Sequence, residues 1–168
     1  MKDETYFFHQ TPFDLCKELI NKVPLQINDK VLEPFRGEGA FYNNLPDFII
    51  KDWCEIEEGR DYKNYNDTID WVISNPPFKL ENDNGRRENA FYQLLEYYSS
   101  RVRKGVAFLA NDYCFSTLTP ARMKKLSDAG LYLQGYTVCN IKKWRGRYFF
   151  MIFTKQQNNN INYILGSY

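Results

Sequence analysis

Asn75-Pro76-Pro77-Phe78 follows directly on the apolar run Ile69 to Ser74. Two consecutive prolines lock φ and donate no backbone hydrogen bonds, so at the end of a strand they make a stiff, extended tip whose carbonyls are left to accept. An amino group presented there could donate one N–H to the Asn75 side-chain oxygen and the other to the Pro76 carbonyl. Its nitrogen lone pair would then point outward, as a nucleophile requires. Phe78, just beyond, offers a π face on which a flat base could stack.

A second chemical signal lies upstream. Glu33-Pro34-Phe35 closes a short apolar run and leads into Gly37-Glu38-Gly39. Glycines between a strand and a helix let the backbone approach a ligand closely, because no Cβ intervenes. By itself such a turn is weak evidence, since it also closes βα connections that bind nothing. Glu55 strengthens it. This acid ends the next apolar run, about 16 residues after Gly39, where a carboxylate can accept from the ribose of a nucleoside lying across strand tips.

These residues must be held by elements, and the sequence indicates which. Thr11-Pro12 opens a helix, with Thr11 as a cap and Leu15, Leu19, Ile20 and Val23 at helical spacing. Strands are expected over Lys30 to Phe35, Phe48 to Cys54, Ile69 to Ser74 and Gly105 to Ala110, with a short helix from Ala40. Helices are expected over Glu88 to Val102 and Pro120 to Asp128, and Lys79 to Arg87 reads as a polar loop. Leu131 to Ile141 and Arg147 to Thr154 read as two strands of a closing hairpin. The fold class is therefore α/β, a mostly parallel sheet with a C-terminal antiparallel hairpin. In open sheets of this kind ligands bind at the carboxyl ends of the strands, where the motifs above all fall.

Composition sets bounds on function. The 168 residues, 43% hydrophobic and 26% charged, suit one globular domain. No apolar run is long enough to cross a bilayer, and no signal-like segment opens the chain, so a soluble, cytoplasmic protein without membrane association is expected. Cys16, Cys54, Cys114 and Cys139 are scattered, without a Cys-x-x-Cys pair, and read as buried free thiols. With a single histidine, His9, no metal site is expected.

Net charge is +1, unevenly spread: residues 1–70 hold 8 basic and 15 acidic side chains, and residues 71–168 hold 14 and 6. The basic half includes the turn Lys142, Lys143, Trp144, Arg145 and Arg147, a cationic and aromatic cluster suited to a polyanion.

Taken together, these motifs resemble the S-adenosylmethionine-dependent amino methyltransferases with a Rossmann-like catalytic domain, of the adenine N6 type. The resemblance covers nearly the whole chain, with the cofactor motifs preceding the catalytic one, the gamma arrangement. It implies S-adenosyl-L-methionine as cofactor, held by Thr11-Pro12, by Glu33, Pro34 and Phe35 with Gly37 and Gly39, by Glu55 at the ribose, by Asp61 at the adenine, with Ile56, Tyr62 and Asn75 also in the cofactor site. It implies that Asn75, Pro76, Pro77 and Phe78 form the catalytic tetrapeptide, acting by direct methyl transfer to an amino group. Two departures stand out. Only 13 residues, Ile56 to Thr68, separate the second strand from the catalytic strand, leaving little room for the usual helix and third strand. Glu57 and Glu58 therefore remain alternatives to Asp61. In addition, no target-recognition domain follows the hairpin, so sequence discrimination is expected to be small or supplied by a specificity subunit.

The implied substrate is DNA or RNA with a flipped or unpaired adenine, bound through the basic turn. Guanine N2 in RNA and a protein glutamine are alternative acceptors, because related enzymes share the tetrapeptide. A catalytically idle subunit of a methyltransferase pair is a further alternative. Against it, the glycines, acids and tetrapeptide are all retained.

Overall fold

The computed structural model describes residues 10–81, 85–142 and 144–161. His9 and Lys143 lie outside them.

Six strands form the main sheet: β1 (Lys30–Glu33), β2 (Ile50–Trp53), β3 (Ile69–Ser74), β6 (Val102–Asn111), β7 (Tyr132–Cys139) and β8 (Tyr148–Thr154), in the order β2-β1-β3-β6-β8-β7. β2, β1, β3 and β6 run parallel, and β8 pairs antiparallel with both β6 and β7. The expected closing hairpin is present. Its antiparallel strand β8 is not at the edge but inserted between β6 and β7, so that β7 runs with the parallel set.

Alternation along the strands divides the core into two faces. On one face Leu32, Val72, Val106, Phe108, Met151 and Phe153 pack against Phe91, Leu94 and Leu95 of α2 (Ala90–Ser99) and Met123 and Leu126 of α4 (Pro120–Asp128). On the other face Val31, Trp71, Ile73, Leu109 and Phe150 pack against Cys16, Leu19 and Ile20 of α1 (Phe13–Ile20), with Phe41 and Leu45 beside them. Strands covered on both sides read as continuous apolar runs, and β3 is buried at all six positions. All four cysteines are buried free thiols, and burial pushes Cys16 up to about 12.

Gly105 marks the tightest approach in the sheet. A Cβ there would sit 2.3 Å from the Phe153 carbonyl oxygen and 2.5 Å from the Trp71 ring, so only glycine allows Trp71 to lie across β6.

Several local expectations need correcting. Thr11 does not cap α1: Pro12 is the N-cap, without a side-chain hydrogen bond, and the Thr11 hydroxyl is engaged elsewhere. The expected helix after Ala40 is a single 3-10 turn, Tyr42–Asn44. Lys79 to Arg87 is not simply a loop. With the two residues after it, the segment forms a separate antiparallel ribbon, β4 (Lys79–Glu81) paired with β5 (Arg87–Asn89), with residues 82–84 outside the described set. A five-residue helix, α3 (Asp112–Ser116), follows β6 and is capped by Asn111, whose side chain accepts from Cys114 N at 2.9 Å. Between β2 and β3 there are only two 3-10 turns, Ile56–Glu58 and Tyr62–Asn64, as the short spacing requires. None of the described helices is long and apolar enough to cross a membrane.

Candidate active site

The parallel strands deliver Glu33, Trp53, Ser74 and Asn111 to one end of the sheet. The chain leaves β1 for β2 on one side and β3 lies on the other, so a crevice opens beyond the tips of β1 and β3, the usual ligand position in such sheets. A cavity of about 980 Å³ lies there. Its walls include Thr11, Pro12 and Phe13 at the start of α1, Glu33, Phe35 and Gly37 after β1, Asn75 after β3, and Lys142 and Trp144 from the basic turn. Residues widely separated in sequence thus converge on one space.

The glycine turn is built by its own hydrogen bonds. Gly37 and Gly39 have φ of 52° and 84°, the left-handed region that glycine enters without strain. Gly39 N donates to Arg36 O at 2.8 Å, and Asn43 N donates to Gly39 O at 2.8 Å. Only Gly37 lines the cavity. A Cβ on Gly39 would meet Asn43 Nδ2 at 3.0 Å, so this glycine also keeps the turn closed.

Glu55, expected at the ribose, makes its contacts within the protein at the tip of β2. Its Oε2 accepts from Gly37 N at 2.7 Å, its Oε1 lies 3.4 Å from Glu57 N, and it caps the 3-10 turn Ile56–Glu58. Glu55 therefore clamps the glycine turn to the tip of β2 and is not part of the cavity wall. Between them stands Arg36. Its guanidinium lies 3.9 Å from the Trp53 ring centroid and pairs with Glu58, while Arg60 approaches the same ring at 4.1 Å and binds Asp52 at 2.7 Å. Beyond this layer, Ile56 is 71% exposed. Asp61 caps its own turn by accepting from Lys63 N at 2.9 Å. Tyr62 packs its ring 5.0 Å from Phe35 and 5.5 Å from Tyr97. These three lie outside the cavity wall, as do the buried Pro34 and Pro76.

Glu33 is the one acid buried in the wall, 2% exposed. Its Oε2 accepts from Tyr42 N at 2.6 Å. Burial raises its carboxyl from the ordinary range to about 9, against the lowering effects of the Tyr42 N–H and Arg36. Such a group is neutral at pH 7 until a cation arrives beside it.

At the tetrapeptide, Asn75 Nδ2 donates to the Thr11 hydroxyl at 3.1 Å. That bond fixes the amide plane and leaves Asn75 Oδ1 without a partner among the described residues. The Pro76 carbonyl accepts no backbone hydrogen bond among them either. Phe78 is partly buried and touches both apolar clusters, and its carbonyl accepts from Ala90 N at 3.0 Å, tying the tetrapeptide to the start of α2. It is a wedge between the two cores as well as an aromatic surface.

In the basic turn, Lys142 and Trp144 face the cavity. Trp144 also packs on Tyr148, ring centroids 4.7 Å apart. Arg145 and Arg147 are exposed and outside the wall, and Arg147 Nε pairs with Asp112 at 3.4 Å. Sequence reasoning missed Gln10, Arg36, Asn43 and Ile141 in the wall. Arg36 carried a signal, a cation inside a glycine turn facing an acidic cluster. The others did not. No group of three or more residues able to hold a metal ion occurs among the described residues.

No protein-family model matches the chain, and no curated protein matches its sequence. Solved structures do match. One is described as a class I S-adenosylmethionine-dependent methyltransferase from Listeria monocytogenes, at a TM-score of 0.62 and 14% identity, covering 90% of this chain. The chain spans 61% of the length of that protein. A methyltransferase from Pyrococcus furiosus matches at 0.60 and 16% identity over 86% of this chain and 83% of its own. The Mtq2-Trm112 complex of E. cuniculi, responsible for methylating the termination factor eRF1, matches at 0.55 and 12% identity over 88% and 98%. The architecture is therefore that of the class I, Rossmann-like methyltransferases.

Proposed function

We propose that this chain is an S-adenosylmethionine-dependent methyltransferase that methylates an exocyclic amino nitrogen, the N6 of adenine in a nucleic acid. The observation that carries the reading is the Asn75 amide. It is anchored through Nδ2 to Thr11 at 3.1 Å, borders the cavity, and precedes Pro76, whose carbonyl accepts no backbone hydrogen bond among the described residues.

The wall of the cavity fits the cofactor. Glu33 supplies a buried carboxyl with only one oxygen engaged by the backbone, suited to a cationic group. Gly37 presents backbone without a side chain, and Phe35 and Pro12 supply apolar surface. When bound there, S-adenosylmethionine supplies a methyl group activated on a sulfonium for direct transfer to nitrogen.

The chain's residues prepare the acceptor. Asn75 Oδ1 and the Pro76 carbonyl accept the two N–H bonds of the amino group, which turns its lone pair away from them. Thr11 positions Asn75, so the amide does not have to be ordered during the reaction. Orientation of this kind can lower a barrier by roughly 7 to 11 kcal/mol. Neither an amide nor a backbone carbonyl is basic enough to keep a proton, so the proton released from the nitrogen passes to water. Glu55 acts indirectly by holding Gly37, and an adenine must be unpaired to reach the site.

A carboxamide presents the same NH₂ geometry, and the resemblance in fold to a complex that methylates a protein makes a glutamine side chain the second reading. The excess of basic residues after residue 70, with Lys142 at the cavity rim, favours the polyanion. The test is methyl transfer from labelled cofactor to oligonucleotides containing one adenine, in wild type and Asn75→Ala. Loss of turnover with cofactor affinity retained supports the assignment, and unchanged turnover overturns it.

A further inference from the structure

A second groove, of about 360 Å³, lies next to the tetrapeptide, between the β4–β5 ribbon, α2 and the chain around α3 and α4. Its wall carries three cations, Lys79, Arg87 and Arg122, against one carboxylate, Glu88, which accepts from Gln93 Nε2 at 2.9 Å. Two aromatic rings share it. Arg122 lies 4.7 Å from the Tyr92 ring centroid and is held by the Thr117 carbonyl at 3.0 Å. Tyr113 is 58% exposed and meets no other ring among the described residues. Little of the fold depends on a tyrosine so exposed, yet its ring stands at the carboxyl end of the sheet.

The position of the groove ties it to the acceptor. Lys79 directly follows Phe78. Tyr113 directly follows Asp112, which pairs with Arg147 Nε and whose N–H donates to the Arg147 carbonyl at 3.2 Å. The groove thus connects, through bonded neighbours, the tetrapeptide on one side with the basic turn on the other.

We propose that this groove holds the single-stranded segment adjoining the target base, with Tyr113 stacking a neighbouring base and Lys79 and Arg122 facing phosphates. The inference rests on the reading that the acceptor is a base in a nucleic acid, and it adds that the substrate is a single strand rather than an intact duplex. A base drawn to Asn75 leaves its neighbour without a stacking partner, and an exposed aromatic ring restores one for any base. Net positive charge in the wall suits a phosphate chain and disfavours a basic peptide.

The experiment measures binding of short fluorescein-labelled DNA and RNA single strands, and the matching duplexes, by anisotropy across salt concentrations, with methyl transfer followed on the same oligonucleotides. Wild type should prefer single strands. Tyr113→Ala should weaken single-strand binding roughly tenfold while Tyr113→Phe restores it, and Lys79→Ala should lower the slope of log affinity against log salt by about 0.7. Affinity for S-adenosylmethionine should stay unchanged in all three. Single-strand affinity and salt slope unaltered by Tyr113→Ala and Lys79→Ala, in a protein that methylates the oligonucleotides, would overturn the groove assignment and leave the proposed activity standing. Equal affinity for duplex would overturn the single-strand claim. Wild type that neither binds nor methylates any oligonucleotide would remove the nucleic-acid reading and this inference with it.

Discussion

Replacing Glu33 by glutamine tests the buried acid at the heart of the cavity. In the folded chain burial raises this carboxyl to about 9, whereas its ordinary value is 4.5. Between those values the unfolded chain has released the proton and the folded chain keeps it. The unfolded state therefore binds fewer protons, and stability falls as pH rises. Each pH unit in that window is worth about 1.4 kcal/mol, so from pH 5 to pH 7 wild type should lose on the order of 3 kcal/mol through this group. The amide introduced by Glu33→Gln keeps an oxygen for the Tyr42 N–H and carries no titrating proton. Urea unfolding of both proteins at pH 5, 6, 7 and 8 should give nearly equal stabilities at pH 5 and an increasing advantage for Glu33→Gln above it. Comparing the two proteins cancels every other titrating group. A cationic ligand beside Glu33 should ionise it, so binding S-adenosylmethionine at pH 7 should release about one proton from wild type and none from the variant, measured by calorimetry in buffers of different ionisation enthalpy. Parallel stability curves across pH 5 to 8 would refute the account of Glu33 as a neutral buried acid.

Further outcomes follow from the same geometry. Glu55→Ala should release the Gly37 N–H and weaken cofactor binding by about 1 to 3 kcal/mol in calorimetry, although Glu55 itself lies outside the cavity wall. Phe78→Ala should lower global stability as well as turnover, by about 1 to 3 kcal/mol in urea unfolding, because the ring fills space between both cores. Gly105→Ala should destabilise by about 3 kcal/mol or more in the same assay, since backbone and an indole occupy the methyl's position. Alanine at Lys142 and Arg145 together should lower the salt slope of nucleic-acid binding by about 0.7 to 0.9 per lost phosphate contact without reducing cofactor affinity. Arg147, already paired with Asp112, should contribute less.

Much of the sheet was legible because buried strands leave unbroken apolar runs with hard stops. Ile69 to Ser74 ends in two prolines, and α4 begins at a proline after a threonine whose side chain accepts from Arg122 N at 3.4 Å. The β4–β5 ribbon was not legible: Lys79, Glu81, Arg87 and Glu88 are exposed, so no alternation of apolar residues marks it. α3 has only five residues, too few for a helical period. The convergence of Thr11, Gly37 and Asn75 on one cavity could be anticipated from their positions at strand and helix ends. The hydrogen bond from Gly37 N to Glu55 could not, because only the folded turn brings that N–H to an oxygen 18 residues away in the chain. The Arg36 and Arg60 approaches to Trp53 likewise depend on a packing that no spacing encodes.

The central claim is that Asn75 presents an adenine amino group for methylation. The most direct measurement incubates the protein with labelled S-adenosylmethionine and a mixture of DNA, RNA and glutamine-containing peptides, digests the products to nucleosides and amino acids, and identifies the labelled species. N6-methylated adenosine or deoxyadenosine in wild type, absent in Asn75→Ala, is the predicted result. Label on a peptide glutamine, on guanine N2, or on no acceptor at all would contradict it.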